Sequence, residues 1–113
     1  MIEIYHNPRC RKSREALKLL ESKGIEHQTI LYLDQTLNTE ELKALLEKLK
    51  INAEELVRKN ESIWKEQFKA HALTEDDIVE AMVKHPKLIE RPIVVNGNRA
   101  VIGRPAENIL TII

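Results

Sequence analysis

Cysteine occurs once in the 113 residues, at Cys10, so no disulfide can close within the chain. Charge of either sign is not in excess: 18 basic and 18 acidic residues give a formal net charge of zero. No global field would therefore steer the protein onto nucleic acid or an anionic membrane, and an anion site has to come from a local group of cations. No apolar run is long enough to span a bilayer. The opening Met-Ile-Glu-Ile-Tyr has no basic-then-apolar secretory pattern. With the single thiol, this points to a reducing cytoplasm, with no nucleic acid and no membrane among the partners. Internal repeats and low-complexity stretches are missing too. What remains is an ordinary globular composition, 42% hydrophobic and 32% charged, long enough for one domain with its own core.

Ile2 to Tyr5 is β-branched and aromatic and reads as a strand. A polar loop, His6-Asn7-Pro8-Arg9-Cys10, follows. From about Arg11 the pattern is helical, with Ala16, Leu17 and Leu20 on one side and Gly24 suited to the residue after the helix end. His27 to Leu33 reads as a second strand, completing a right-handed parallel βαβ unit. Asn38 with Glu41, and Thr74 with Asp77, have the spacing of capping boxes, and Asn52 can cap a short helix holding Leu56 and Val57. The stretch around Trp64 and Phe68 carries no clear period. His85-Pro86 ends the helix begun at Thr74. Pro92 to Val95 and Asn98 to Ile102 flank Asn96-Gly97, a strong hairpin signal. Gly103 breaks the second of these strands. Pro105 suits the first position of a last helix reaching about Ile112.

The order βαβ, several helices, ββα predicts an α/β fold. It is a thioredoxin-like sheet in a single domain over 1–113, with a helical insert at about 38–85. Such a sheet needs only one helix between its halves, and the surplus predicts a helical lobe.

Cys10 is the first candidate for chemistry. A lone cysteine is commonly an inert buried side chain. This one lies in a polar loop at a helix start, where free amides and the partial positive charge favour a thiolate. Arg9, Arg11, Lys12 and Arg14 crowd the same helix start, against the macrodipole. They read either as a solvated basic face or as help for an anion and the thiolate. Ser13 occupies the place where a second cysteine would make a dithiol motif. An oxidised Cys10 therefore needs an external thiol to resolve it. Ser13 reads equally as an ordinary first-turn residue. His6, four residues before Cys10, is within reach of a hydrogen bond near the thiolate. His27, His71 and His85 have no metal-ligand spacing, so no metal is expected.

Three distant arginines stand out. Arg58 lies in Val57-Arg58-Lys59-Asn60, Arg91 precedes Pro92, and Arg104 takes an N-cap position, where arginine is a poor cap. Guanidinium groups bind tetrahedral oxyanions in a fork geometry that lysine does not offer. The cradle of low-molecular-weight phosphatases, a cysteine, five residues and an arginine, is absent, because the sixth position after Cys10 is Ala16.

Tyr5-His6-Asn7-Pro8-Arg9-Cys10 with Ser13 and Arg14, then Leu56 to Asn60, His85-Pro86, Arg91 to Val95 and Gly103-Arg104-Pro105 resemble the glutaredoxin-coupled arsenate reductase family. The match runs in order over nearly the whole chain. The resemblance implies that Cys10 is the nucleophile, that Arg58, Arg91 and Arg104 hold arsenate or a similar oxyanion, and that His6 helps keep the thiolate. It implies that Pro92 is a cis-proline facing the cysteine loop. It also implies no bound cofactor, glutathione as co-substrate and glutaredoxin as partner. Arg11-Lys12 departs from well-known arsenate-resistance members, which carry small neutral residues there. Two other readings compete. One is a regulatory module binding the C-terminal domain of the RNA polymerase α subunit, whose members often use a Cys-x-x-Cys switch that Ser13 removes here. The other is a glutathione-dependent thiol oxidoreductase acting on mixed disulfides.

Overall fold

The computed structural model describes residues 2–68 and 72–113. His71 lies outside the described residues. The chain divides into two compact units, one of residues 1–35 with 91–113 and the other of residues 36–90.

The first unit is built on a four-stranded sheet. Strand β1 (Ile2–Tyr5) pairs in parallel with β2 (His27–Ile30) and antiparallel with β3 (Ile93–Asn96), which pairs antiparallel with β4 (Arg99–Ile102). The spatial order is β2-β1-β3-β4. Helix α1 (Arg11–Ser22) connects β1 to β2, and a 3₁₀ helix (Ala106–Thr111) closes the unit. This is the thioredoxin-like arrangement that the element order predicts.

Alternation decides which side chains are inside. Ile2 and Ile4 on β1 and Val94 on β3 share one face. Ala16 and Leu20 of α1, with Ile109 and Ile112 at the chain's end, pack against them. Each fully buried Ile or Leu contributes about 1.5–3 kcal/mol of transfer free energy. Ser13 lies one helical turn before Ala16 on the same inner stripe and is fully buried, the one polar residue of α1 so placed.

Four local expectations give way to the structure. Strand β2 ends at Ile30 instead of Leu33, because a turn intervenes in which Leu31 O accepts from the N–H groups of Asp34 and Gln35. The hairpin loop is Gly97-Asn98, since Asn96 pairs with Arg99. Gly97, at φ +66°, takes the first loop position, where a two-residue turn favours glycine. The last helix is 3₁₀, not α: its amides bond three residues back, Asn108 N–H to Pro105 O and Ile112 N–H to Ile109 O. Its N-cap is Pro105, which displaces Pro105 from the first helical position and Arg104 from the cap.

The second unit is helical: α2 (Thr39–Leu49), α3 (Ala53–Leu56), α4 (Ser62–Gln67), α5 (Glu75–Lys84) and a 3₁₀ turn, Pro86–Leu88. Asn38 with Glu41 and Thr74 with Asp77 form full capping boxes, and Asn52 accepts from the Glu55 N–H. Helix α5 packs on α2, α3 and the 3₁₀ turn. Its buried Ile78, Val79, Ala81 and Met82 meet a core that includes Leu42, Leu45, Leu46 and Leu56. Trp64 on α4 stacks on Phe68, and Phe68 meets His85 edge-on. Among the described residues no helix is long and apolar enough to cross a membrane.

Candidate active site

The loop between β1 and α1 is fixed by its own residues. Asn7 O accepts from the Cys10 N–H at 3.0 Å, closing a turn with Pro8 at its second position. The Asn7 side chain accepts from the Arg9 N–H at 3.0 Å. Arg14 reaches back to donate to Pro8 O at 3.0 Å. Beneath the loop, Ser13 Oγ accepts from the Asn7 N–H at 3.0 Å and lies 2.6 Å from His6 Nδ1. Ser13 thus ties His6 and Asn7 to the first turn of α1.

Cys10 is the N-cap of α1, in an extended conformation (φ −95°, ψ 122°), and is half-buried. Burial alone would push its thiol up. The backbone N–H of Ser13, a hydrogen bond and the charge of the Arg91 guanidinium, and the backbone N–H of Lys12 together outweigh burial and hold it below the ordinary cysteine value. A thiol so placed is a nucleophile at lower pH than a free one.

Arg91 arrives through sheet pairing. Tyr5 is opposite Ile93, so the chain preceding β3 runs beside the chain following β1. The Arg91–Pro92 peptide is cis, as is Arg104–Pro105. Gly103 then brings the Arg104 turn against Pro92. Its N–H donates to Pro92 O at 2.9 Å. A Cβ at residue 103 would lie 3.1 Å from Pro92 Cγ and 3.4 Å from Ile109 Cδ1. Asn108 braces the same turn by donating to the carbonyls of Ile102 and Arg104.

His6 is buried, 5% exposed. Burial pushes its imidazole below the ordinary value and Arg14 adds to this, while Glu21 and a backbone hydrogen bond at Ser13 oppose it. His6 is therefore a neutral partner of Ser13 near neutral pH.

The cations at the start of α1 serve differently from Arg91. Arg9 and Arg11 are exposed. Arg11 and Lys12 both pair with Glu15, at 3.3 and 3.7 Å, which draws their charge along the helix. Glu15 and the anchoring role of Asn7 have signals in the sequence, an i+4 carboxylate and an Asn-Pro turn. The contribution of the Lys12 and Ser13 amides has none beyond the helix start itself.

Arg58 belongs to the second unit. Its N–H donates to Leu88 O at 2.6 Å, within a short antiparallel bridge of Val57 with Ile89. Its guanidinium faces two carboxylates, Glu61 at 3.6 Å and Glu90 at 3.5 Å. His27 Nδ1 lies 2.8 Å from Ile25 O, and no group of three or more metal-ligating side chains occurs among the described residues.

Comparison with known proteins identifies the family. Residues 5–112 match the ArsC family. The uncharacterized protein YfgD of Escherichia coli (strain K12) is 47% identical, over 99% of this chain and 96% of its own. The arsenate reductase of Haemophilus influenzae is 42% identical, over 97% of both chains. A solved structure titled arsenate reductase, from Vibrio cholerae, superposes with a TM-score of 0.95 at 46% identity, covering 99% of this chain and 97% of that one. A family match over almost every residue, with relatives this similar over their full length, leads to one conclusion: the chain belongs to the ArsC family.

Proposed function

We propose that the protein reduces arsenate to arsenite through the Cys10 thiolate, with glutathione and glutaredoxin supplying the electrons in a reducing cytoplasm. The observation that carries this reading is the Cys10 thiol itself, lowered by the Ser13 and Lys12 amides and the Arg91 guanidinium. Its relatives' names supply the substrate: several ArsC proteins at 42–43% identity are called arsenate reductases.

The thiolate attacks the arsenic of arsenate, forming a sulfur–arsenic bond and releasing an oxygen as hydroxide or water. Arg91, Arg104 and Arg58 neutralise the oxyanion and its adduct, as the family resemblance assigns them. The glutathione thiol then displaces a second oxygen from the arsenic as water, forming a second sulfur–arsenic bond. A glutaredoxin thiol then takes the glutathione sulfur as a disulfide, and the electron pair left behind reduces As(V) to As(III). Hydrolysis of the Cys10–arsenic bond frees arsenite and restores the thiol. Two external thiols become one disulfide, and Cys10 ends as it began. Ser13 fits this scheme, because it pins His6 and the loop but forms no disulfide with Cys10. His6 supports the thiolate through Ser13, and Pro92 shapes the wall beside Arg91.

The test is arsenite formation by the purified protein with glutathione, glutaredoxin and a glutathione-reductase cycle, beside a Cys10→Ser control. Arsenite from the wild type alone is expected. Equal arsenite from both proteins, or none from a folded wild type, would reject the reading.

A further inference from the structure

Helix α1 opens with charge opposite to that of the helices whose first amides are capped by a side chain. Helices α2, α3 and α5 carry carboxylates in their first turns, which complement the macrodipole. The start of α1 has no acidic residue and no side-chain cap, and holds Arg11, Lys12 and Arg14 instead. Arg9 lies just before Cys10. Arg14 serves the loop, donating to Pro8 O at 3.0 Å. Arg9, Arg11 and Lys12 are exposed, while Ser13, Ala16 and Leu20 turn inward. Arg11 and Lys12 share one carboxylate, Glu15, at 3.3 and 3.7 Å, and the Arg11 side chain is 84% exposed. Exposed pairs of this kind hold weakly and open readily to another anion. Arg9 has no ion pair among the described residues. Three cations beside the thiol thus meet one carboxylate.

The cation that acts on the resting thiol is Arg91, not one of these three. Their charges stand instead on the solvent side of the cysteine loop, where a second reactant arrives. Consecutive Cα atoms are about 3.8 Å apart, so the three charges stay within roughly 10 Å of Cys10 Sγ. At that range an excess of positive charge concentrates anions and repels cations, to an extent that salt screens. The chain has no second cysteine, so a thiol that completes a reaction at Cys10 comes from solvent. We propose that Arg9, Arg11 and Lys12 select that thiol by charge, favouring small thiols that carry a carboxylate over neutral and cationic ones. The proposal rests on the reading that Cys10 chemistry is completed by an external thiol. It assigns the three cations as specificity-determining residues that act through their field.

The experiment follows thiol–disulfide exchange on the whole protein, with no arsenate present. Cys10 is first converted to its pyridyl disulfide with dipyridyl disulfide. An incoming thiolate then bonds to Cys10 Sγ, the bond from Sγ to the pyridyl sulfur breaks, and pyridine thione leaves with the electron pair, takes up the proton lost by the thiol and is read by its absorbance. Three attackers of similar size are compared: mercaptopropionate, an anion; mercaptoethanol, which is neutral; and cysteamine, a cation. Each rate is divided by the rate on a small neutral pyridyl disulfide, which removes differences in intrinsic nucleophilicity. The expected result is the anion favoured over the cation by about 10-fold at low salt, shrinking to about 2-fold at high salt. Arg9→Gln, Arg11→Gln and Lys12→Gln together should lower the low-salt preference to about 2-fold, with Arg91 and the helix end supplying the remainder, and each single substitution should lower it in part. Circular dichroism melts establish that the variants are folded. A wild type that shows no charge preference at low salt, a preference that survives the triple substitution, or a pyridyl disulfide on Cys10 that no thiol displaces overturns the proposal. Arsenite formation is measured separately, so a failure of the reductase reading and a failure of charge selection are told apart.

Discussion

Ser13→Ala removes one oxygen from the fully buried inner face of α1. The hydroxyl serves His6 Nδ1 at 2.6 Å and the Asn7 N–H at 3.0 Å, and both lose their partner in the variant. A buried polar group left unsatisfied costs about 1–3 kcal/mol. The His6 loss should be close to full, because the imidazole is only 5% exposed. The Asn7 loss is smaller, because that residue is half-buried and water can replace part of the bond. The expected destabilisation is about 2–3 kcal/mol, a large share of the roughly 5–15 kcal/mol that holds a domain of this size. Urea denaturation followed by circular dichroism reads it as a lower midpoint at unchanged slope. A cycle with His6→Ala sharpens the test. The two residues share one hydrogen bond, so the double variant should lose about 1 kcal/mol less than the sum of the singles. A Ser13→Ala loss under about 0.5 kcal/mol, or strict additivity with His6→Ala, would refute the proposition that this hydroxyl ties the cysteine loop to the helix.

Other expectations rest on the same unit. The Cys10 thiol lies below its ordinary value, so its alkylation by iodoacetamide should reach half-maximal rate below the free-thiol value of about 8.5. Arg91→Ala should move that midpoint up, and a wild-type profile coincident with free cysteine would contradict the assignment. His6 has a depressed folded value, so its neutral form contributes stability that is present above the unfolded value of about 6.5 and is lost as pH falls through the lower folded value. Urea midpoints measured down through that range should fall less in His6→Asn than in the wild type, and parallel curves would exclude His6 as a source. Gly103→Ala places a methyl 3.1 Å from Pro92 Cγ and should cost about 1–3 kcal/mol while slowing Cys10 chemistry through the displaced Arg91–Pro92 wall. Wild-type stability and alkylation rate in that variant would show that the turn has room to spare.

Much of this architecture was legible because its signals are local. Asn38 with Glu41 and Thr74 with Asp77 satisfy the first amides of their own helices, so a four-residue window contains the interaction. Strand β1 announces itself by alternation and composition. The misplacements occur where local signals are degenerate. Asn96-Gly97 marks a hairpin without fixing its register, and cross-strand pairing shifted the loop by one residue. Pro105 marks a helix start but not whether the helix is α or 3₁₀.

At the candidate site the thiol was legible from its loop-to-helix position, whereas its electrostatics were not. Four cations adjacent in sequence invite assignment to Cys10, yet Glu15 takes up Arg11 and Lys12, and Arg14 serves the Pro8 carbonyl. The cation that acts on the thiol, Arg91, is brought in by the β1–β3 register. Composition and spacing alone do not reveal a pairing between segments so far apart. Glu90 beside Arg58 is hidden in the same way, because it is near only through the Val57–Ile89 bridge.

If the Cys10 thiolate and Arg91 receive arsenate, as proposed, bound arsenate shields the thiol from alkylation. The most direct test is the alkylation rate of Cys10 measured with increasing arsenate, in the wild type and in Arg91→Ala, by mass spectrometry of the intact protein. Saturable protection of the wild type, weakened in the variant, is the result predicted. A folded wild-type protein whose Cys10 reacts at the same rate at every arsenate concentration would contradict it.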